Sequence, residues 1–216
     1  MSDGRVRMVC FDAGGVLVRI CRGWREGCEA AGIEFRESPD AARGDAARTA
    51  IHEDYQRGLI CCDDFFSRMA ETTAGLYSAA EFRAVHEAWI LGEYQGARDL
   101  VQRLNDLGGV ETGLLSNTNA SHWAQRHMFG GRGSSAVGLL RHPHASHLLG
   151  VSKPSPEIFR AFEARTGAAP DEVLFFDDMP ENVEAARRAG WRAETVDYTG
   201  DTCAQIARRL REHGVL

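Results

Sequence analysis

Residues 9–20 read VCFDAGGVLVRI. The apolar run ends on Asp12 and is followed at once by Gly14 and Gly15, the pattern of a buried parallel strand whose C-terminal end opens into a tight turn. In α/β sheets the carboxyl ends of strands are where ligands bind. Asp12 is therefore the first candidate functional residue. It has no second carboxylate two positions on, because that position is Gly14.

Strand-like runs recur at RMVCFD (7–12), which ends on Asp12, and at ETGLLSN (111–117), DEVLFFDD (171–178) and WRAETVDY (191–198), each beside a helical pattern. That alternation predicts an α/β fold, a Rossmann-like parallel sheet covered on both faces in three αβα layers. The helices carry their own punctuation. GARDLVQRLNDLGG (96–109) stops at paired glycines, SPEIFRAFEARTG (155–167) starts with Ser155 and Pro156, and PENVEAARRAG (180–190) stops at Gly190.

Residues 21–92 contain no convincing strand and read as four helices: GWREGCEAAG (23–32), PDAARGDAARTAIHEDYQRG (39–58), CDDFFSRMAETTAG (62–75) and SAAEFRAVHEAWILG (78–92), the last opened by a Ser78-x-x-Glu81 capping box. One crossover helix is normal, so four predict an inserted helical domain over the carboxyl edge of the sheet. The expected division is a core of residues 1–20 and 93–216 with a helical cap of residues 21–92.

The chain has 216 residues, 44% hydrophobic and 26% charged, with a formal net charge of −6. A net negative chain whose arginines are spread along helices argues against nucleic acid as a partner. No apolar run approaches the roughly 18 residues of a membrane span, and the start MSDGRVRMVC lacks the order of a signal peptide. A cytoplasmic protein is expected. The six cysteines show no C-x-x-C spacing and are expected to be reduced thiols. A monomer and a homodimer are both compatible with the sequence.

Four groups fall at strand ends or helix starts: Asp12, then Ser116 with Asn117 in LLSNTN (114–119), then Lys153, the single lysine of the chain, in GVSKPSPEIF (150–159), then Asp177 and Asp178 in LFFDDMPEN (174–182). Together they suit phosphoryl chemistry. A carboxylate can attack phosphorus, Mg²⁺ held by further carboxylates neutralises charge, and a hydroxyl, backbone N–H groups and a lysine hold the phosphoryl oxygens. Asp178 is the better candidate for a direct metal ligand, with Asp177 completing the metal's shell or orienting its waters.

These four motifs, in this order, resemble those of the haloacid dehalogenase (HAD)-like hydrolase superfamily, subfamily I, whose helical C1 cap is inserted after the first strand. FDAGGVL is similar to the nucleophile loop, LLSNTN to the Ser/Thr motif, SKPSPEIF to the lysine motif and FFDDMPENVEAARRAGW to the acidic motif; YQRGLICCDDFF (55–66) resembles a cap phrase of members acting on small sugar phosphates. The resemblance implies that Asp12 forms an aspartyl-phosphate and that Ser116, Lys153 and the Asn117 backbone bind the transferred group. It also implies that Asp178, Asp12 and the Gly14 carbonyl hold Mg²⁺. A small phosphorylated metabolite is the implied partner.

The usual first motif of such phosphatases is Asp-x-Asp, the second Asp serving as general acid and base. Gly14 keeps a carbonyl for the metal and loses that acid, a loss of about 10²- to 10⁴-fold in rate. Three expectations follow. The first is a phosphatase of the Asp-x-Gly kind, in which His52, Glu53, Asp54 or Asp63 replaces the acid, or whose substrate, such as a sugar 1-phosphate, leaves easily. The second is a metal-independent dehalogenase, and the third a catalytically impaired protein that binds a phospho-ligand or a protein.

Two other runs invite alternative readings. RHPHASHLLG (141–150) brings His142, His144 and His147 close in sequence and is read as a strand and loop leading to Lys153, not as a metal set. MFGGRGSSAVG (128–138) is read as a flexible connection, not as a phosphate loop. Trp24 and Trp89 are read as packing residues with a possible place in a pocket wall.

Overall fold

In the computed structural model, which describes residues 4–37, 45–125 and 135–216, the chain runs as β1 (Met8–Phe11), β2 (Val18–Ile20), α1 (Trp24–Ala31), α2 (Asp45–Gln56), α3 (Cys62–Glu71), α4 (Ala79–Glu87), β3 (Ile90–Glu93), α5 (Ala97–Asp106), β4 (Glu111–Ser116), α6 (Ala120–Gln125), α7 (Ala136–Leu139), β5 (His142–Ala145), α8 (Ser146–Leu149), α9 (Pro156–Thr166), β6 (Val173–Asp177), α10 (Pro180–Arg188), β7 (Arg192–Thr195) and α11 (Thr202–Glu212). Strands β5, β4, β1, β6 and β7 lie in that order in one sheet. All its pairings are parallel.

Side chains alternate across this sheet with period 2. Val9, Phe11, Leu174 and Phe176 face one apolar layer with Leu100, Val101 and Leu104 of α5 and Ile206 and Leu210 of α11. Met8, Cys10, Val173 and Phe175 face the other, with Ile158, Phe159 and Phe162 of α9 and Val183 and Ala186 of α10. Both faces are thus dry, which is why these strands read as continuous apolar runs. The expected α/β three-layer core is present. All six cysteines are unpaired. Among the described residues no helix is long and apolar enough to cross a membrane.

Helices α1–α4 have an apolar cluster of their own, around Cys28, Ile51, Tyr55, Phe65, Phe66, Phe82 and Val85. Ser78 and Glu81 form the expected capping box at the start of α4. The last helix is shorter than its sequence pattern suggests. It ends at Glu87, and Ile90–Glu93 instead pairs antiparallel with Val18–Ile20. The apolar run WIL continues the helical periodicity, but its backbone finds a strand partner far away in sequence: Cys21 N–H also donates to the Trp89 carbonyl (2.9 Å). The chain therefore enters and leaves α1–α4 through one two-stranded ribbon.

The run 128–138 divides. Residues 128–134 lie outside the described residues, whereas Ser135 caps α7, its side chain accepting from Gly138 N–H, and Glu93 accepts from Ala136 N–H (2.5 Å). The N-cap serine converts the end of an apparent loop into a helical turn.

Phe162 tests the α9 layer. It is fully buried, with ring centroids 5.3 Å from Trp191 and 5.1 Å from His144. Phe162→Ala is expected to cost about 3–5 kcal/mol in urea unfolding at unchanged m-value; a loss under about 1 kcal/mol would mean that the layer closes over the gap.

Candidate active site

Asp12 lies one residue beyond the central strand, its N–H donating to the Phe176 carbonyl (2.8 Å). Ser116 ends β4 on one side and Asp177 ends β6 on the other. Parallel registration of three strands thus brings three polar side chains to one edge. Lys153 arrives from the loop after α8. Its side chain is 0% exposed, with Nζ 3.1 Å from Asp12 Oδ1 and 2.6 Å from Asp177 Oδ2. Asn117 fixes that loop: Lys153 N–H donates to Asn117 Oδ1 (2.8 Å) and Asn117 Nδ2 donates to the Lys153 carbonyl (2.9 Å).

The two adjacent acids differ in what they touch. Asp177 is fully buried and accepts from Lys153 Nζ, from Asn182 Nδ2 at both oxygens (3.1 Å) and from Met179 N–H (2.8 Å). Its oxygens are spent on the lysine and on the start of α10. Asp178 instead pairs with Arg22, Nη1 to Oδ2 at 2.7 Å, and the Arg22 guanidinium lies 3.6 Å from the centroid of the Tyr198 ring. Ligand oxygens of Asp12, Asp177 and Asp178 lie within 4.8 Å of one another, the one such cluster of candidate metal ligands among the described residues.

Burial dominates the electrostatics. It raises the Asp12 pKa from 3.8 to about 6, against the lowering effects of Lys153 and the Ser116 hydroxyl, with Asp177 and Asp178 adding repulsion. Burial alone would depress Lys153, but Asp12 and Asp177 overcome it and hold the ammonium above its ordinary value. Asp178 is likewise raised by burial, despite Arg22. Asp12 Oδ1 is buried without a hydrogen bond, Lys153 meeting it as an ion pair by distance.

The glycines after Asp12 are set by different neighbours. Gly15 has φ of +77°, and a Cβ there would collide with the Asp178 carboxylate and Arg22. Gly14 has no positive φ; a Cβ built on it would stand 2.9 Å from Ile20 Cδ1. A side chain at that position competes with hydrocarbon from β2.

A cavity of about 450 Å³ opens between this edge and the helices, with Gly14, Ser116 and Asn117 on one wall and Trp24, His52 and Phe65 on the other. Trp89 lines it as well, while Trp24 also packs on Phe82 (ring centroids 4.5 Å apart). Of the four titratable residues singled out in the sequence, only His52 lines the cavity. Asp54 lies 3.8 Å from Arg68 and Asp63 bonds Arg83 at 2.6 Å, so both serve surface pairs, and Glu53 is exposed.

Sequence reading did not single out Arg22, Asn182, Asn119, His86 or His122: Arg22, His86 and His122 meet partners on distant segments, whereas Asn182 reaches Asp177 five residues back and Asn119 bonds His122 three residues on. His86 and His122 stack with ring centroids 3.9 Å apart and both line the cavity. The three histidines of 141–150 take different partners: His142 faces Glu111 (3.3 Å), His144 packs on Phe162 with its Nδ1 3.0 Å from the His142 carbonyl, and His147 has its ring 6.1 Å from Trp123.

The family profile of haloacid dehalogenase-like hydrolases matches residues 6–190. The chain belongs to this family. The haloacid dehalogenase-like chain is 28% identical to D-ribitol-5-phosphate phosphatase of Bacteroides thetaiotaomicron over 193 residues, 86% of this chain and 89% of that protein. It is 38% identical to a Mycobacterium tuberculosis phosphatase over 72 residues, a match spanning 33% of each protein. A crystal structure of a haloacid dehalogenase family enzyme from B. thetaiotaomicron superposes with a TM-score of 0.78 at 23% identity, covering 94% of this chain and 98% of that one; that enzyme was also crystallised with magnesium and inorganic phosphate. This likeness shows the fold.

The raised Asp12 pKa has a consequence for stability. A carboxyl whose folded pKa exceeds its unfolded value costs stability as it ionises, so the cost is absent below about pH 4 and complete above about pH 6. Asp12→Asn in metal-free buffer at pH 7 is expected to stabilise the fold by up to about 3 kcal/mol. Urea unfolding at pH 7 and pH 3.5 should show the gain only at the higher pH.

Proposed function

We propose that this chain is a Mg²⁺-dependent phosphomonoesterase that hydrolyses a small, sugar-phosphate-like metabolite through an aspartyl-phosphate on Asp12. One observation carries the reading: a carboxylate at the end of the central strand shares one small volume with two further acids and a fully buried lysine. The phosphatase relatives and the magnesium and phosphate complexes of the fold neighbour support it.

An Asp12 oxygen bonds to phosphorus as the bond from phosphorus to the leaving oxygen breaks, and that oxygen departs with the electron pair. Water then attacks the phosphorus, freeing inorganic phosphate and restoring the carboxylate. Lys153, the Ser116 hydroxyl and the Asn117 backbone N–H hold the transferred group. Asp177 keeps Lys153 in place and charged.

The residues fit a divalent cation. Three carboxylates face two cations, Lys153 and Arg22, and Asp12 Oδ1 is a buried oxygen without a hydrogen bond. Asp12, Asp178 and the Gly14 carbonyl would hold the ion, with Asp177 in support. Mg²⁺ bound there supplies neutralisation of the phosphoryl oxygens. A metal-independent dehalogenase leaves this acidic cluster without a use.

In the proposed arrangement residues 21–92 are a cap over a core of residues 1–20 and 93–216, closing the cavity and choosing the substrate. The buried Ser146 hydroxyl links the two, donating to the Gln56 carbonyl of α2 (2.6 Å) while accepting from Thr118 N–H (3.0 Å).

Phosphate release from p-nitrophenyl phosphate should require Mg²⁺, cease on chelation and fall at least about 10³-fold in kcat for Asp12→Asn. Turnover that is indifferent to chelator, or that survives Asp12→Asn, would sink the proposal. Halide release from 2-haloacids without metal would instead establish the dehalogenase.

A further inference from the structure

We infer that this chain acts on phosphomonoesters with an uncharged body and a weakly basic leaving oxygen, of the phenol, enol or hemiacetal kind, which departs without a proton donor. The inference rests on the phosphomonoesterase reading and specifies its substrate class.

The first support is Ile20. The direction in which a side chain at Gly14 would project is filled by hydrocarbon, with Ile20 Cδ1 2.9 Å and Cγ1 and Cγ2 3.6 Å from the built Cβ. Ile20 itself lines the cavity. The position beside the nucleophile is thus filled by a side chain that can neither give nor take a proton.

The second support is the state of the other groups in the wall. Among its lining residues the titratable ones are Cys21, Arg22, His52, His86 and His122; no carboxylate is present. His122 Nε2 faces the His86 carbonyl (2.7 Å), which can only accept, so that nitrogen carries the proton. Its Nδ1 then accepts from Asn119 Nδ2 (3.4 Å). Both ring nitrogens of His122 are committed. Asn119 Oδ1 in turn takes the N–H of His122 (3.1 Å) and faces His86 Nε2 (3.3 Å), which makes the latter a donor as well. Burial, helped by repulsion from His122, His52 and Arg83, lowers the His86 pKa to about 3, so its ring is neutral at physiological pH. Arg22 is committed to Asp178, and burial raises the Cys21 thiol.

His52 alone has no hydrogen-bond partner among the described residues. It faces the Phe65 ring (centroids 6.2 Å apart) and sits beside Glu53. It is the competing donor that the experiment must exclude.

The third support is the rest of the wall. Trp24, Phe65, Phe82 and Trp89 present aromatic surface, and Arg22 is the only fixed charge among the lining residues. Such a wall suits an aromatic ring or the apolar face of a sugar, and its one fixed cation, Arg22, is already paired with Asp178. D-ribitol 5-phosphate, the ester in the name of the Bacteroides relative, is a primary alkyl phosphate and falls outside the class.

The test is kcat/KM with Mg²⁺ across uncharged aryl phosphates of graded phenol acidity, together with glucose 1-phosphate, glucose 6-phosphate and D-ribitol 5-phosphate. This ratio reports the first bond cleavage even where breakdown of the aspartyl-phosphate limits kcat. The wild type should fall steeply with leaving-group basicity, with the primary alkyl esters about 10²- to 10⁴-fold below p-nitrophenyl phosphate. Gly14→Asp with Ile20→Ala should narrow that gap about 10²-fold, and His52→Gln should leave the slope and the pH profile unchanged.

Comparable wild-type rates on aryl and primary alkyl esters would overturn the inference and leave the phosphomonoesterase reading intact. So would a slope that steepens, with loss of the basic limb of the pH profile, in His52→Gln. If the double variant does not fold, the wild-type slope and His52→Gln still decide. No phosphate release from any ester would overturn the phosphomonoesterase reading, and the inference with it.

Discussion

A lysine with no exposed side-chain surface has to find its counter-charge inside the protein, and at this sheet edge it finds two. Lys153 lies between Asp12 and Asp177, which come from adjacent parallel strands. The arrangement exists only because β1 and β6 end together, Phe11 opposite Phe176. An unpaired buried charge costs several kcal/mol, so strand register and ion pairing enforce one another. Asn182 and the Met179 N–H take the remaining acceptor sites of Asp177 and so set the start of α10. One buried ammonium thereby organises a strand end, a helix start and the Asp12 carboxylate.

Much of this was legible in the sequence, for a physical reason. Strands buried on both faces are apolar without interruption, and an acid, a serine or a glycine pair at their ends marks where they meet the open edge. Lys153 stood out because it has no competitor in the chain. What could not be read are features whose two halves lie far apart. The ribbon pairs Arg19 with Gly92, and WIL looked helical because its partner strand precedes all of α1–α4. The stack of His86 on His122 is of the same kind. Conversely, the rings of His142, His144 and His147 meet different partners, since a strand and a helical turn carry them to different surroundings.

The two glycines behind Asp12 show how close packing over one loop divides labour. Against Gly15 lies an ion pair, Arg22 with Asp178; against Gly14 lies the end of an isoleucine. One side of the loop is therefore polar and charge-balanced and the other is dry. A low dielectric on the dry side strengthens every charge interaction on the polar side, so the absence of a second acid leaves the remaining carboxylates in a stronger field.

Ile20 and Ile90 face one another across the two-stranded ribbon, so the chain departs from the sheet and returns to it at one place. For the five-stranded sheet, everything between is a closed excursion whose ends are already joined. Its length contributes only weakly to the cost of closure, while the register of β1 with β4 and β6 is set within the sheet itself. The ribbon makes the helical segment a cassette hinged at one point of the scaffold, and the contacts Arg22 with Asp178 and Gln56 with Ser146 are what any exchange of it has to match.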